Sequence, residues 1–254
     1  MTVLVTGGSG LVGRALAARG ATALGRPALD VTDERARDEI LTAHAPDAVI
    51  FCAAMTEVDR CATDPLSEAI NVAAPAAWAR EVPVWFVSSN FVFSGPGPHA
   101  PDAVVRPVNA YGRQKARAEE AVLAAGGHVV RTGWVYGHGG RGWASRLPAL
   151  EGTWRAIDDW PVQPTWADHL ADALLLLPTG ITHLIGRDET TWKGFARAVS
   201  AELGRGRVEG VSLAALSLGP RPDDARLEPA SLPGFREAVP QWLSRGSGTS
   251  STPP

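Results

Sequence analysis

The stretch Val3-Leu4-Val5-Thr6-Gly7-Gly8-Ser9-Gly10-Leu11-Val12-Gly13 decides the fold. A short β-branched run ends in glycines. An apolar, small-residue segment over 11–18 follows, with Arg14 and Arg19 turned outward. Glycines at 7, 10 and 13 between a strand and a helix form the context in which a glycine-rich loop becomes informative. Such a loop turns tightly and lets the backbone approach a pyrophosphate at a helix N-terminus, where free N–H groups and the dipole favour anions. A plain glycine turn is the competing explanation, and the position directly after an apolar strand argues against it.

Strand and helix patterns alternate outward from this loop. A charged helix is expected over 33–43 with Thr32 as its N-cap, then a strand over 48–52. A helix over 64–80, a strand over 82–88, a helix over 111–125 and a strand over 128–132 follow. Alternation at this spacing implies a doubly wound, Rossmann-type α/β fold with a parallel sheet covered on both faces. The dinucleotide-binding core is assigned to 1–132, with 155–185 contributing to it. Residues 133–245 are assigned to a small C-terminal α/β region that binds substrate, holding helices over 166–176, 191–203 and 232–243 and a strand over 181–185. The Gly/Ser/Thr/Pro tail over 246–254 reads as disordered.

Composition narrows the function classes. The chain has 254 residues, 45% hydrophobic and 20% charged, with a net charge of −3. It carries no basic stripe, which argues against a nucleic-acid binder. No run of about 18 apolar residues predicts a membrane span, and the start lacks the pattern of a secretory leader. Cys52 and Cys61 read as free thiols of a cytoplasmic protein. The histidines are scattered and no CxxC occurs, so no metal site is expected.

Only two lysines, Lys115 and Lys193, and two tyrosines, Tyr111 and Tyr136, are present. Tyr111 stands four residues before Lys115, which places both on one helix face. A phenol has an ordinary pKa of about 10, and a nearby ammonium lowers it toward the range useful for acid–base work. Ser88-Ser89-Asn90 ends the strand that precedes this helix, where a hydroxyl can hydrogen-bond a carbonyl beside the phenol. After the second strand, an acidic residue would suit the ribose of NAD. Arg26 stands there instead and suits the 2′-phosphate of NADP, with Arg14 as a second candidate. NADP (as NADPH) is therefore expected, and NAD stays open.

These motifs resemble, in order and to about Arg245, an extended short-chain dehydrogenase/reductase, and more narrowly the dTDP-4-dehydrorhamnose reductase family. The resemblance is carried by Leu29-Asp30-Val31-Thr32-Asp33, by 46–59, by Glu68-Ala69-Ile70-Asn71-Val72, by 87–95 and by Pro107-Val108-Asn109-Ala110-Tyr111-Gly112-Arg113-Gln114-Lys115. Arg131-Thr132-Gly133-Trp134-Val135-Tyr136-Gly137 and Pro164-Thr165-Trp166 complete it. It implies Ser89, Tyr111 and Lys115 as the catalytic set. It also implies a dinucleotide site built from Gly7, Gly10, Leu11, Val12, Gly13, Arg26, Asp30, Val31, Cys52, Ala53, Ala54, Ser88 and Gly133, joined by Tyr111 and Lys115. Thr56, Val58, Asn90, Phe91 and Trp134 would face the substrate, a nucleotide sugar. A homodimer is the family's common form.

The activity implied is NADPH-dependent reduction of the 4-keto group of a dTDP-4-keto-6-deoxysugar. Asn90-Phe91 replaces the family's Asp-Tyr, Met55 replaces a Tyr, and the segment after Gly137 is short. Two alternatives stay open: reduction of a non-nucleotide ketone in secondary metabolism, and a non-catalytic NADP-binding regulatory subunit. Arg141, Arg146, Arg155 and Arg221 are candidates for holding a diphosphate.

Overall fold

The first strand, β1 (Val3–Thr6), is an inner strand, one from the edge, of a six-stranded sheet. The structure is a computed structural model that describes residues 1–140 and 142–246. Helix α1 (Leu11–Ala17) leads to β2 (Thr22–Leu24), α2 (Glu34–His44) and β3 (Ala48–Phe51). Helices α3 (Leu66–Glu68) and α4 (Ala74–Ala79) are joined by a π-helical stretch, Ala69–Ala73, and lead to β4 (Val84–Ser89). Helix α5 (Ala110–Ala124) and β5 (His128–Thr132) complete the part nearest the N-terminus.

All strands of this sheet are parallel. The order is β2-β1-β3-β4-β5, with a later strand beyond β5. After β2 the chain returns to the other side of β1, so a crevice opens at the carboxyl ends of β1 and β3, where a doubly wound sheet binds its ligand. Alternation along each strand feeds both faces. Val5, Ile50 and Val130 pack with Ala15 and Leu16, whereas Leu4, Val49, Phe51 and Phe86 pack with Trp78, Ala118 and Val122.

The remainder consists of β6 (Val135–Tyr136), α6 (Trp143–Arg146), β7 (Thr153–Ile157), β8 (Pro161–Val162), β9 (Thr165–Trp166), α7 (Ala167–Leu174), β10 (Ile181–His183), β11 (Thr190–Thr191), α8 (Trp192–Leu203), β12 (Arg207–Val211) and α9 (Phe235–Gly246). Of the expected contribution from 155–185, α7 packs on α1 and β10 extends the sheet beside β5. Residues 155–157 do not join it. They lie in β7, which pairs with β12 and serves a second core of Tyr136, Trp154, Trp166, Phe195, Phe235 and Trp242.

Several local expectations are corrected. The N-cap of α2 is Asp33, whose carboxylate accepts the Ala36 N–H, because the Thr32 hydroxyl is engaged by Asp30 instead. Arg19 does not point to solvent. It bridges to Asp172 at 2.5 Å and Asp168 at 3.7 Å on α7. Gly246 closes α9, and the rest of the segment expected to be disordered, 247–254, lies outside the described residues, as does Arg141. Among the described residues no helix is long and apolar enough to cross a membrane.

Trp242 has no exposed surface and meets Tyr136 edge-on at 5.1 Å, and beside Phe235, Ala238 and Val239 it is the largest side chain by which α9 closes the second core. Trp242→Ala is expected to cost about 3–5 kcal/mol of stability in urea unfolding, as removal of a buried aromatic ring does. A loss below about 1 kcal/mol would show that the second core does not depend on Trp242.

Candidate active site

The glycine loop lies against the end of β3. Gly7 has φ +72, and a Cβ on it would come within 2.7 Å of the Ala53 nitrogen. A Cβ on Gly13 would sit 2.2 Å from the Gly7 carbonyl oxygen. Side chains are therefore excluded from the floor of the crevice, and only backbone lines it between β1, α1 and the Ala53-Ala54 segment. That is a cradle of the kind a dinucleotide pyrophosphate needs, so these residues fit such a cofactor. Leu11 and Val12 are half-buried and pack into the core below the loop.

At the adenine end, Arg26 is exposed just after β2. It adds to the lowering of the Asp30 carboxyl, which is caused first by the Thr32 hydroxyl and N–H. Arg14 is not available as a second phosphate ligand in the expected way. Its guanidinium donates to the Ser9 carbonyl and, at 2.6 Å, to the Gly139 carbonyl, stapling the glycine loop to the segment after β6. Val31 is half-buried and accepts the Trp78 indole N–H. Burial pushes the Cys52 thiol up to about 12, so it is a neutral wall residue.

The seating of α5 brings the catalytic candidates together. Asn109 caps the helix by accepting the Gly112 N–H at 2.8 Å. A Cβ on Gly112 would lie 2.1 Å from the Phe91 carbonyl oxygen, so α5 touches the 3₁₀ turn Asn90–Val92 that follows β4. Tyr111 thereby stands edge-on to Phe91 at 5.9 Å. Ser89, at the end of β4, accepts the Phe91 N–H at 3.2 Å and donates its own proton to the Asn90 Oδ1 at 3.4 Å, a long bond that a ketone oxygen can replace. Lys115 is 1% exposed. Its Nζ donates to the Val87 carbonyl at 2.7 Å and lies 3.9 Å from the Phe86 ring centroid.

The electrostatics differ from the expectation of a phenol lowered by Lys115. Burial pushes Tyr111 up to about 12, with Ser89 pulling the other way. Lys115 has committed its ammonium to Val87 rather than to the phenol, and burial brings it down to about 7, opposed by the charge of Glu119. Ser88 also differs from its expected place on the dinucleotide. Its side chain faces away from Ser89 and donates to Glu119 at 2.5 Å.

The substrate-side candidates split. Thr56 is exposed and Val58 half-buried on the rim after β3, while Gly133 lies against Ile185 and Asn90. Phe91 faces Trp160 at 6.0 Å, and Trp160, Trp192 and Trp134 continue as stacked rings, with Trp134 and Trp192 4.2 Å apart. This aromatic wall leads from Tyr111 to a cavity lined by Trp143, Trp192, Arg155, Ile157, Val211 and Leu216. Asn90, expected at the substrate, donates its amide to the Ala225 carbonyl at 2.9 Å.

That contact is one of a series that sequence reasoning missed. The segment 219–228 is held across the site by residues from many elements. Asp59 takes Arg221 bidentately at 2.6 and 3.0 Å, so Arg221 is engaged by a carboxylate rather than offered to a diphosphate. Asn109 holds the Pro220 carbonyl, Trp160 that of Pro222, and Gln163 both the N–H and the carbonyl of Leu227. The one available signal was scarcity: Asn90, Asn109 and Gln163 are three of only six Asn and Gln residues in the chain. Asn71, on the π-helical stretch, bonds both backbone groups of Met55 and the Gln114 side chain, which fixes the loop after β3.

A doubly wound sheet with a glycine-floored crevice and a Ser/Tyr/Lys set beside it defines the class of dinucleotide-dependent oxidoreductases. The chain belongs to the RmlD substrate binding domain family, whose model matches residues 1–244. It is 39% identical over 222 residues to a dTDP-4-dehydrorhamnose reductase of Streptomyces griseus, covering 76% of this chain and 73% of that one. It is 34% identical over 234 residues to a dTDP-4-keto-6-deoxy-D-glucose reductase of Streptomyces niveus, covering 82% and 81%. In fold it is similar to a dTDP-4-dehydrorhamnose reductase of Bacillus anthracis in complex with NADP, with a TM-score of 0.87, 21% identity and coverage of 96% and 100%.

His183 links the 219–228 segment to pH. Its Nδ1 donates to the Glu228 carbonyl at 2.9 Å, and its Nε2 is buried without a partner. Burial brings it down to about 4, helped by Arg131 and His99 and opposed by the Glu228 bond. A lowered folded-state pKa gives stability that is present above the ordinary value of about 6.5 and is lost as pH falls through about 4. Melting temperature should fall between these limits by the uptake of about one proton. His183→Asn should remove that part of the slope, and an unchanged acid slope would refute the assignment.

Proposed function

We propose that this chain is an NADPH-dependent ketoreductase acting on the 4-keto group of a dTDP-4-keto-6-deoxysugar. The observation that carries the reading is the convergence of Ser89, Tyr111 and Lys115 beside the glycine-floored crevice. The names of both Streptomyces relatives supply the substrate class. Such a substrate and NADPH are cytoplasmic metabolites, which puts the enzyme in that compartment.

When bound, NADPH supplies the hydride. The loop at Gly7, Gly10 and Gly13, with Ala53 and Ala54, would hold its pyrophosphate, and Arg26 would meet the 2′-phosphate. Tyr111, pushed up to about 12 by burial, is protonated at neutral pH and is the proton donor to the ketone oxygen as charge develops there. Ser89 donates a hydrogen bond to the same oxygen and holds it beside the phenol. Lys115, when charged, stabilises the phenolate left behind, an effect realised in the transition state rather than in the ground state. The aromatic wall of Phe91, Trp160 and Trp192 excludes water and leads to a cavity where Trp143 and Arg155 suit a flat base and an anionic group.

Tyr111→Phe should lose at least about 100-fold in turnover with NADPH binding nearly intact. Turnover like that of the wild type would remove Tyr111 from the reaction. In parallel, dTDP should raise the melting temperature of the wild type. Oxidation of NADPH with simple ketones but no protection by dTDP would favour the non-nucleotide ketone reading instead.

A further inference from the structure

A buried ion pair behind the catalytic strand is left without a task by this chemistry. Arg131 on β5 and Glu119 on α5 are 2% and 3% exposed. The guanidinium reaches both carboxylate oxygens, with Nη2 at 2.7 Å and Nε at 3.0 and 3.1 Å. Glu119 also accepts the Ser88 hydroxyl at 2.5 Å, and Ser88 is opposite Arg131 in the β4–β5 register. A pair this deep is costly to desolvate and gives little net stability over an apolar replacement, so its position is the informative feature.

Glu119 lies one helical turn beyond Lys115, on the same face. Lys115 holds the Val87 carbonyl, and Glu119 holds the next residue, Ser88. Two successive residues of β4 are thus clamped by two successive turns of α5, immediately before Ser89. We propose that Glu119, braced by Arg131, is a positioning residue for the catalytic set: it clamps the strand end that carries Ser89 and supplies the negative charge that keeps the Lys115 ammonium charged. The assignment rests on the reading of Lys115 as Tyr111's partner.

The charge argument follows from what surrounds Lys115. The titratable groups near it are Tyr111 and Glu119 on α5, Cys52 after β3, Cys61 on the 3₁₀ turn Arg60–Ala62, and Arg131 on β5 behind Glu119. Burial pushes both thiols and the phenol upward, so all three are neutral near pH 7. Glu119 is the carboxylate in this set. Burial lowers Lys115 to about 7 with the charge of Glu119 already the first influence against it, so losing Glu119 takes the ammonium below the border at which half of the molecules are charged.

The composition supplies a direct readout. With only Lys115 and Lys193 in the chain, full-length protein grown with 13Cε-lysine has two lysine signals, assigned with Lys193→Arg. Lys193, paired with Asp158 on another part of the surface, is the internal reference. The Lys115 titration midpoint should fall by about one pH unit in Glu119→Gln and rise by about the same in Arg131→Gln. The alkaline limb of kcat/KM should follow it. Opposite signs are the signature, because loosened packing would move both variants the same way.

If either single variant fails to fold, the double variant Glu119→Gln/Arg131→Gln, which buries no lone charge, is read instead. Its midpoint should still lie below that of the wild type, since Glu119 is the nearer charge. Lys115 midpoints that do not move in folded variants, or that move together, overturn the assignment. Lys115→Met separates the two readings: full turnover there removes Lys115 from the reaction, whereas lost turnover with an unmoved Glu119→Gln titration refutes only the role of Glu119.

Discussion

The site depends on one close approach, that of α5 to the end of β4. Gly112 leaves room for the Phe91 carbonyl, and no residue with a Cβ could take its place without a shift of backbone. With that spacing set, Tyr111 meets Phe91, Lys115 reaches Val87, and Glu119 reaches Ser88. These contacts are made to the end of β4 and to the 3₁₀ turn that directly follows it. The relative placement of Ser89, Tyr111 and Lys115 is therefore a property of two rigid elements rather than of a loop, as groups that must act together within tenths of an ångström require.

The second constraint is the way 219–228 is tied down. This segment has almost no regular structure of its own, so its backbone groups must find partners elsewhere. They find Asn109 at the cap of α5, Asn90 after β4, Gln163, Trp160 and His183, while the Arg221 side chain pairs with Asp59. The donors come from both parts of the chain, Asn90 and Asn109 before β5 and Trp160, Gln163 and His183 after it. The segment thus couples the sheet that carries the glycine loop to the region that carries the aromatic cavity, and the site lies between them.

Much of this was legible in the chain because the signals are local. Hydrophobic runs located five of the six strands of the large sheet, β1, β3, β4, β5 and β10, and the i, i+4 spacing of Tyr111 and Lys115 placed them on one face. What depends on where a side chain turns was not legible. Ser88 and Ser89 are indistinguishable in a strand pattern, yet alternation sends Ser88 to Glu119 and Ser89 to the site. Arg14 and Arg19 look like solvated positions on α1, but the partners that claim them, Gly139 and Asp172, lie more than a hundred residues away. The lowered phenol expected from Lys115 was misjudged for a related reason: spacing sets which face a charge occupies, whereas burial and the Val87 carbonyl set how that charge is used.

Asn90-Phe91 shows how a departure at the reacting end can be a consequence of the architecture. An aspartate at 90 could not donate to the Ala225 carbonyl, and it would set a carboxylate against that oxygen in a part-buried place. The amide converts this position from a substrate contact into a tether for the wall opposite. Phe91 then needs no hydroxyl, because its ring packs at a tilt against Trp160, where the stack with Trp192 begins. On the proposed function, recognition at this end shifts from polar contacts with the sugar to shape and apolar surface. A pocket built that way discriminates weakly among sugars differing by one hydroxyl, since a missing hydroxyl leaves no buried polar group unpaired. On the proposed function, the polar part of the specificity comes from the far end of the substrate, where Arg155 lines the cavity beside Trp143.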